Sequence, residues 1–211
     1  MTGILDLLNS DMGKTIINGV AGQTNQSEDK TNQVLTMALP VMMQAMRRNA
    51  STPQGADGLL SALNSKQENN ILDNLGGLFD GGVNNDVLND GSKILGHVLG
   101  SKQQNVENLI GSRAGVDSGS VANILKVAAP LLMGMLAKQT KENNVDSSSD
   151  LEGLLGGLLG GNSAKNEQNF LESILDADGD GSVIDDVAGM VLGGSKKKGG
   201  LGGLLGGLFG K

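Results

Sequence analysis

Val34-Leu35-Thr36-Met37-Ala38-Leu39-Pro40-Val41-Met42-Met43 returns later in the chain as Ile124-Leu125-Lys126-Val127-Ala128-Ala129-Pro130-Leu131-Leu132-Met133. Leucine, alanine, proline and methionine keep their places, and nearly every other position exchanges one apolar residue for another. The match runs without a gap from residues 16–46 onto residues 106–136, at a constant offset of 90 (130 minus 40). Periodicity on this scale decides the architecture before any local reading does.

Within each copy, Val34, Leu35, Ala38, Leu39, Met42 and Met46, and likewise Ile124, Leu125, Ala128, Leu132 and Leu136, follow the i, i+1, i+4, i+8 stripe of a core-facing helix. Leu125 and Leu132 are expected to be fully buried. Ahead of the first stripe, residues 13–20 lead into the polar Gln23-Thr24-Asn25-Gln26. Ser27 then stands where an N-cap is wanted, and Asp117 (27 plus 90) takes its place in the second copy. Each copy therefore reads as helix, turn, helix. Pro40 and Pro130 fall inside the second helix of each. A proline there withholds a hydrogen bond from the carbonyl four residues back, on Thr36 or Lys126, and is expected to kink or split the helix. Cations follow in Arg47-Arg48 and in Lys138 and Lys141, where a helix C-terminus favours them.

The copies go on to Gly58-Leu59-Leu60 and Gly153-Leu154-Leu155, now 95 apart (153 minus 58), so the second carries a short insertion. Between the copies, Ile71, Leu72, Leu75, Leu78 and Phe79 suggest a short connecting helix, and residues 81–86 a loop. Residues 94–100 open the second unit, and residues 143–150 read as a polar, mobile connection. The fold class expected is all-α, with two helix-turn-helix-like repeat units and a short helix-loop-helix with an acidic loop. The boundaries drawn are 1–63 and 90–161 for the repeats and 64–89 for the connecting helix and loop. Residues 162–193 form the EF-hand-like helix-loop-helix, and 194–211 a Gly/Leu/Lys tail.

Composition narrows the functional classes. Apolar residues are 38% of the chain, and only the 34 glycines bring it back into the range of ordinary globular proteins, so the core is made of small residues. With three Phe, no Trp and no Tyr, Leu and Met must supply most of the buried area. A net charge of -7 argues against general attraction to nucleic-acid phosphates. Without cysteine, disulfides and thiolate sites are excluded. The N-terminal residues lack a basic, then apolar, leader pattern. No run near about 20 apolar residues suggests a membrane span. The expected location is the cytoplasm.

The run Asp90-Gly91-Ser92-Lys93-Ile94-Leu95-Gly96-His97-Val98-Leu99-Gly100-Ser101-Lys102 resembles the hallmark of bacterial proteins of the uncharacterised DUF937 family. Ala129-Pro130-Leu131-Leu132-Met133 and the Gly-Leu runs fit the same resemblance, which covers most of residues 1–161. It implies a helical fold and carries no activity with it.

The strongest chemical signal is Asp176-Ala177-Asp178-Gly179-Asp180-Gly181-Ser182-Val183. Carboxylates at positions 1, 3 and 5 with Gly at 6 match the first half of an EF-hand loop, whose hard oxygen ligands suit Ca²⁺. The Ser182 carbonyl would supply position 7. The second half departs from the pattern, with Val187 where a bidentate Glu belongs, so closure falls to Asp186 or Asp185 in a shortened loop. The expected metal set is Asp176, Asp178, Asp180, Ser182, Asp186 and Asp185.

Residues 109–121 also have the spacing of a DNA-binding helix-turn-helix. Its second helix would start on Asp117, Ser118, Gly119 and Ser120, which are not basic readers. Leu151, Leu154, Leu155, Leu158 and Leu159 make an amphipathic stripe that Leu201, Leu204, Leu205, Leu208 and Phe209 repeat, with glycines that would let a partner helix approach. Lys196-Lys197-Lys198 makes residues 195–211 a candidate for an anionic membrane surface. His97, the only histidine, is expected to pack on an apolar stripe, and the methionines at 37, 42, 43, 46, 133 and 135 to fill the core. No catalytic constellation emerges. The expectation is a non-enzymatic helical scaffold or interaction protein with a calcium loop, its partner another protein or a second copy. The alternatives are a DNA-binding regulator and a peripheral membrane protein.

Overall fold

Two long helices carry the core, α3 (Glu28–Asn49) and α8 (Ser118–Glu142), and they cross in direct contact. In this computed structural model, which describes residues 3–68 and 71–159, every regular element is helical. Before α3 come α1 (Ile4–Asn9) and α2 (Asp11–Thr24), and after it α4 (Pro53–Glu68). A 3₁₀ turn (Ile71–Asn74) and α5 (Leu75–Phe79) lead to α6 (Asn85–Leu99). A second 3₁₀ turn (Gly100–Lys102) and α7 (Gln103–Ala114) then precede α8, and α9 (Ser148–Leu159) follows it.

The turns ahead of α3 and α8 are built alike, at positions 90 apart. Asn25 and Gly115 end α2 and α7 in the left-handed conformation, at φ 58° and 62°. Asn and Gly are the residues that tolerate it. Two residues on, the Ser27 Oγ accepts from the Lys30 N–H (3.3 Å), and the Asp117 Oδ1 from the Ser120 N–H (2.9 Å). Each satisfies an orphan donor of the first turn. The turns also meet: the Gln26 Nε2 donates to the Ser120 Oγ (3.1 Å), and the Lys30 ammonium caps the end of α7 at the Ala114 carbonyl.

Both stripes are buried as expected, with Leu125 at 0% and Leu132 at 1% exposure. Met42, Met43, Met46 and Met133 fill the core, and Met37 and Met135 lie half-buried at its edge. Neither proline splits its helix; α3 and α8 run on unbroken through Pro40 and Pro130. Pro130 still offers no N–H to the Lys126 carbonyl, and the backbone of α6 meets that oxygen. A Cβ at Gly91 would lie 1.9 Å from it, so glycine alone lets α6 approach α8 this closely. The Gly91 Cα–H that stands in place of a side chain points at the freed oxygen, a weak Cα–H···O contact.

The remaining helices cross over. α4, which follows α3, packs on α8, whereas α9, which follows α8, packs on α3, and α4 and α9 touch. Leu151, Leu154, Leu155 and Leu158 are buried, so the first Gly-Leu stripe is a core helix. Its Gly153 and Gly156 face open space rather than a partner helix. The connecting helix is α5, with Phe79 lying on Gly19 of α2. Gln23 holds the chain that follows, donating to the Phe79 carbonyl (3.5 Å) and accepting from the Val83 N–H (2.9 Å). The loop is shorter than its sequence suggests, because Asn84 caps α6 from the Val87 N–H (2.9 Å) and the helix starts at Asn85.

The connection before α9 is anchored rather than loose. Asn144 turns it at φ 49°, Val145 is buried, and the Val145 N–H donates to the Thr140 carbonyl (2.9 Å). Contrary to the reading of apolar runs, α8 is long and apolar enough to cross a membrane, but 72% of that stretch is buried in the core. The acidic loop and the tail lie outside the described residues.

Substituting Gly91→Ala should destabilise the fold by about 1–3 kcal/mol or more, because the clash is with backbone that no rotamer can relieve. Gly96→Ala, on the open side of the same helix, should instead add up to about 1 kcal/mol. Leu132→Ala should cost about 2–5 kcal/mol. Urea denaturation of the three variants beside the parent measures all of these, and equal effects at Gly91 and Gly96 would refute the close approach.

Candidate functional site

α4 and α6 lie on the α3–α8 core with a groove between them. Two side-chain contacts fix opposite ends of this arrangement, one from the end of α3 onto α6 and one from α4 onto α6. At one end the Asn49 Nδ2 donates to the His97 carbonyl (3.1 Å) and to the Val98 carbonyl (3.4 Å). At the other, Lys66 of α4 pairs with Asp90 of α6, both half-buried. The helices are thereby antiparallel, and the hollow between them holds about 630 Å³. That is within the range of small-molecule sites.

The groove has two chemically different ends. Met46 of α3, Leu99 of α6 and Met133 of α8 are buried and form its floor. Leu59 and Ala62 of α4 face Ile94 and Val98 of α6 along its walls, all half-buried. Towards the α3–α4 turn and the end of α6 the lining becomes polar and gains two cations, Arg48 and Lys102, joined by His97, Ser51 and Thr52. No carboxylate lines the groove, although the whole chain carries a net charge of -7.

His97 corrects an expectation. Its imidazole is exposed and lines the groove mouth rather than packing in the core. The helical wheel explains why: Leu95 and Leu99 take the core face of α6, which leaves Ile94 and Val98 on the groove wall and turns residue 97 outward. Sequence reading missed the groove because all four residues look alike as an apolar stripe. No signal in the stripe itself separates wall from core, because Val34, Leu35, Ala38 and Leu39 of α3 show the same two adjacent i, i+4 pairs and are all buried.

The expected calcium ligands Asp176, Asp178, Asp180, Ser182, Asp185 and Asp186 lie outside the described residues. Among the described residues no three His, Asp or Glu side chains gather as a metal site. The helix-turn-helix segment is formed by α7 and α8, and at its turn the Asp117 carboxylate is held by the Ser120 hydroxyl (2.6 Å) and the Ser120 N–H. These bonds lower its pKa below the ordinary carboxylate value.

An all-α, groove-bearing domain is what these features define. The chain matches the family model described as bacterial protein of unknown function (DUF937) over residues 6–139, most of its length, and the protein belongs to that family. Of the hallmark run, residues 90–99 lie in α6 and residues 100–102 form the 3₁₀ turn at the groove mouth. Neither among curated proteins nor among solved structures is there a match.

The depressed Asp117 pKa fixes a sign. A carboxyl whose folded pKa is lowered contributes stability above its unfolded pKa and loses it as pH falls through the folded value. The stability difference between the parent and Asp117→Ala, read by urea denaturation, should be largest at neutral pH and narrow as pH falls from about 5 towards 2. A constant difference would mean that the cap works without its charge.

Proposed function

We propose that this protein is a non-enzymatic helical scaffold that binds a partner or ligand in the α4–α6 groove and carries a calcium loop in its C-terminal region. The groove carries the reading: an apolar bed with a cationic mouth, held by contacts at both ends on the α3–α8 core. The two helix pairs α2–α3 and α7–α8 are read as copies of one unit. Matched left-handed caps, matched N-caps and in-register prolines support that. A DNA-binding regulator is the second reading, favoured by the tight α7–α8 turn; retardation of duplex DNA, weakening with salt, is its test. Residues 195–211 remain the candidate for a membrane surface, with vesicle co-sedimentation as the measurement.

The calcium assignment rests on sequence chemistry. Asp176, Asp178 and Asp180 with Gly181 place three carboxylates in a turn where their charges repel one another unless a cation is present. The Ser182 carbonyl and Asp186, or Asp185, complete the oxygen set. Calorimetric titration of the whole chain should show calcium heat with the parent and little with Asp178→Ala. Mg²⁺, with stricter octahedral demands, should bind more weakly. No heat up to millimolar calcium, or identical titration of the variant, would reduce the loop to an acidic turn.

A further inference from the structure

We infer that the groove binds a free long-chain fatty acid, with the hydrocarbon chain between α4 and α6 and the carboxylate at the mouth. The inference rests on the groove being a binding surface and names its occupant. Polarity is graded along the groove rather than scattered. On one side the lining runs from Thr52, just ahead of α4, through Gly55 and Leu59 to Ala62, and on the antiparallel α6 from His97 and Val98 back to Ile94. Both walls thus turn from polar to apolar in the same direction. Ten residues of helix give the α4 wall a length of roughly 15 Å. That shape suits a slender chain with one polar end.

Charge selects the head group. Arg48 at the end of α3, His97 on α6 and Lys102 in the 3₁₀ turn come from three elements to one mouth. Thr52 and Ser51 stand beside them, their hydroxyls already donating to the Asn49 carbonyl (3.2 Å) and the Arg48 carbonyl (2.7 Å), so the charged head group falls to the cations. An anion there gains charge-assisted hydrogen bonds, and no lining carboxylate opposes it. A cationic head group would be repelled there. At about 630 Å³ the groove has room for an acyl chain, and the vesicle arm of the test separates a free acid from a bilayer lipid.

The only histidine of the chain lies at the site, which gives the test a local reporter. The full-length protein is titrated with laurate below its micellar concentration, following the His97 imidazole resonances by NMR and the heat by calorimetry. Laurate should bind saturably, one per chain, and move the His97 signals. Dodecanol, with the same chain and no charge, should bind at least tenfold more weakly, and Lys102→Gln should weaken laurate by roughly tenfold. Leu59→Asp, on the half-buried wall, should abolish binding, while unchanged urea stability would show that the variant is folded.

Dodecanol binding as tightly as laurate would overturn the fatty-acid assignment and leave the groove as a site for neutral ligands. Silence at His97 with both amphiphiles would overturn the groove reading as well. If the parent refuses laurate but a Leu204→Asp, Leu205→Asp variant accepts it, the chain's own C-terminal segment is the occupant, and the inference fails. A shift caused only by vesicles of anionic phospholipid would assign the mouth to a membrane surface and overturn it equally.

Discussion

A proline without an N–H and a glycine without a side chain meet where α8 and α6 cross, and much of the molecule follows from that contact. Pro130 leaves the Lys126 carbonyl without its helical donor, and Gly91 brings the α6 backbone against that oxygen. With α6 drawn in so closely, Leu95 and Leu99 reach the core and Ile94 and Val98 are left on its flank. Asp90, beside the glycine, is thereby placed to receive Lys66 of α4. The backbone contact thus sets where one wall of the groove stands, and the ion pair sets its distance from the other.

Much of this was legible in the sequence because it is local. An N-cap is decided by one side chain and its own first turn, so Ser27 and Asp117 could be read directly, as could the stripes on α3 and α8. The partners of those stripes could not. The faces of α4 and α9 are chemically interchangeable, Leu59-Leu60 against Leu154-Leu155, and nothing in periodicity says that each crosses to the other long helix. The groove was illegible for a related reason: core and wall residues of α6 are the same kind of residue. His97 was misread on the same ground. The acidic loop is the opposite case, a motif plain in the sequence and outside the described residues.

The core itself is an economical one. Lacking tryptophan and tyrosine, it fills space with leucine, alanine and methionine, and methionine adapts to irregular gaps at the expense of rigidity. Among the described residues Thr31, Glu107 and Thr140 are the polar side chains carried inside it. Thr31 is fully buried and its hydroxyl has no hydrogen-bond partner, whereas the position 90 residues later is Val121, equally buried and nearly the same shape. A buried hydroxyl without a partner is a net cost. The two long helices therefore differ at this position even though the turns that precede them are built alike.

The crossing of α4 onto α8 and of α9 onto α3 has a consequence for how the chain can come apart. Neither half owns a complete interior, since each long helix is covered by a helix from the other half of the sequence. Unfolding either half would strip cover from the long helix of the other, so the two halves are expected to melt together. It also means that the connection through Gly81 and Gly82 carries little of the architecture. A chain cut there would leave two fragments whose exposed faces fit each other better than anything else, and association in trans would restore what the covalent link had merely kept together.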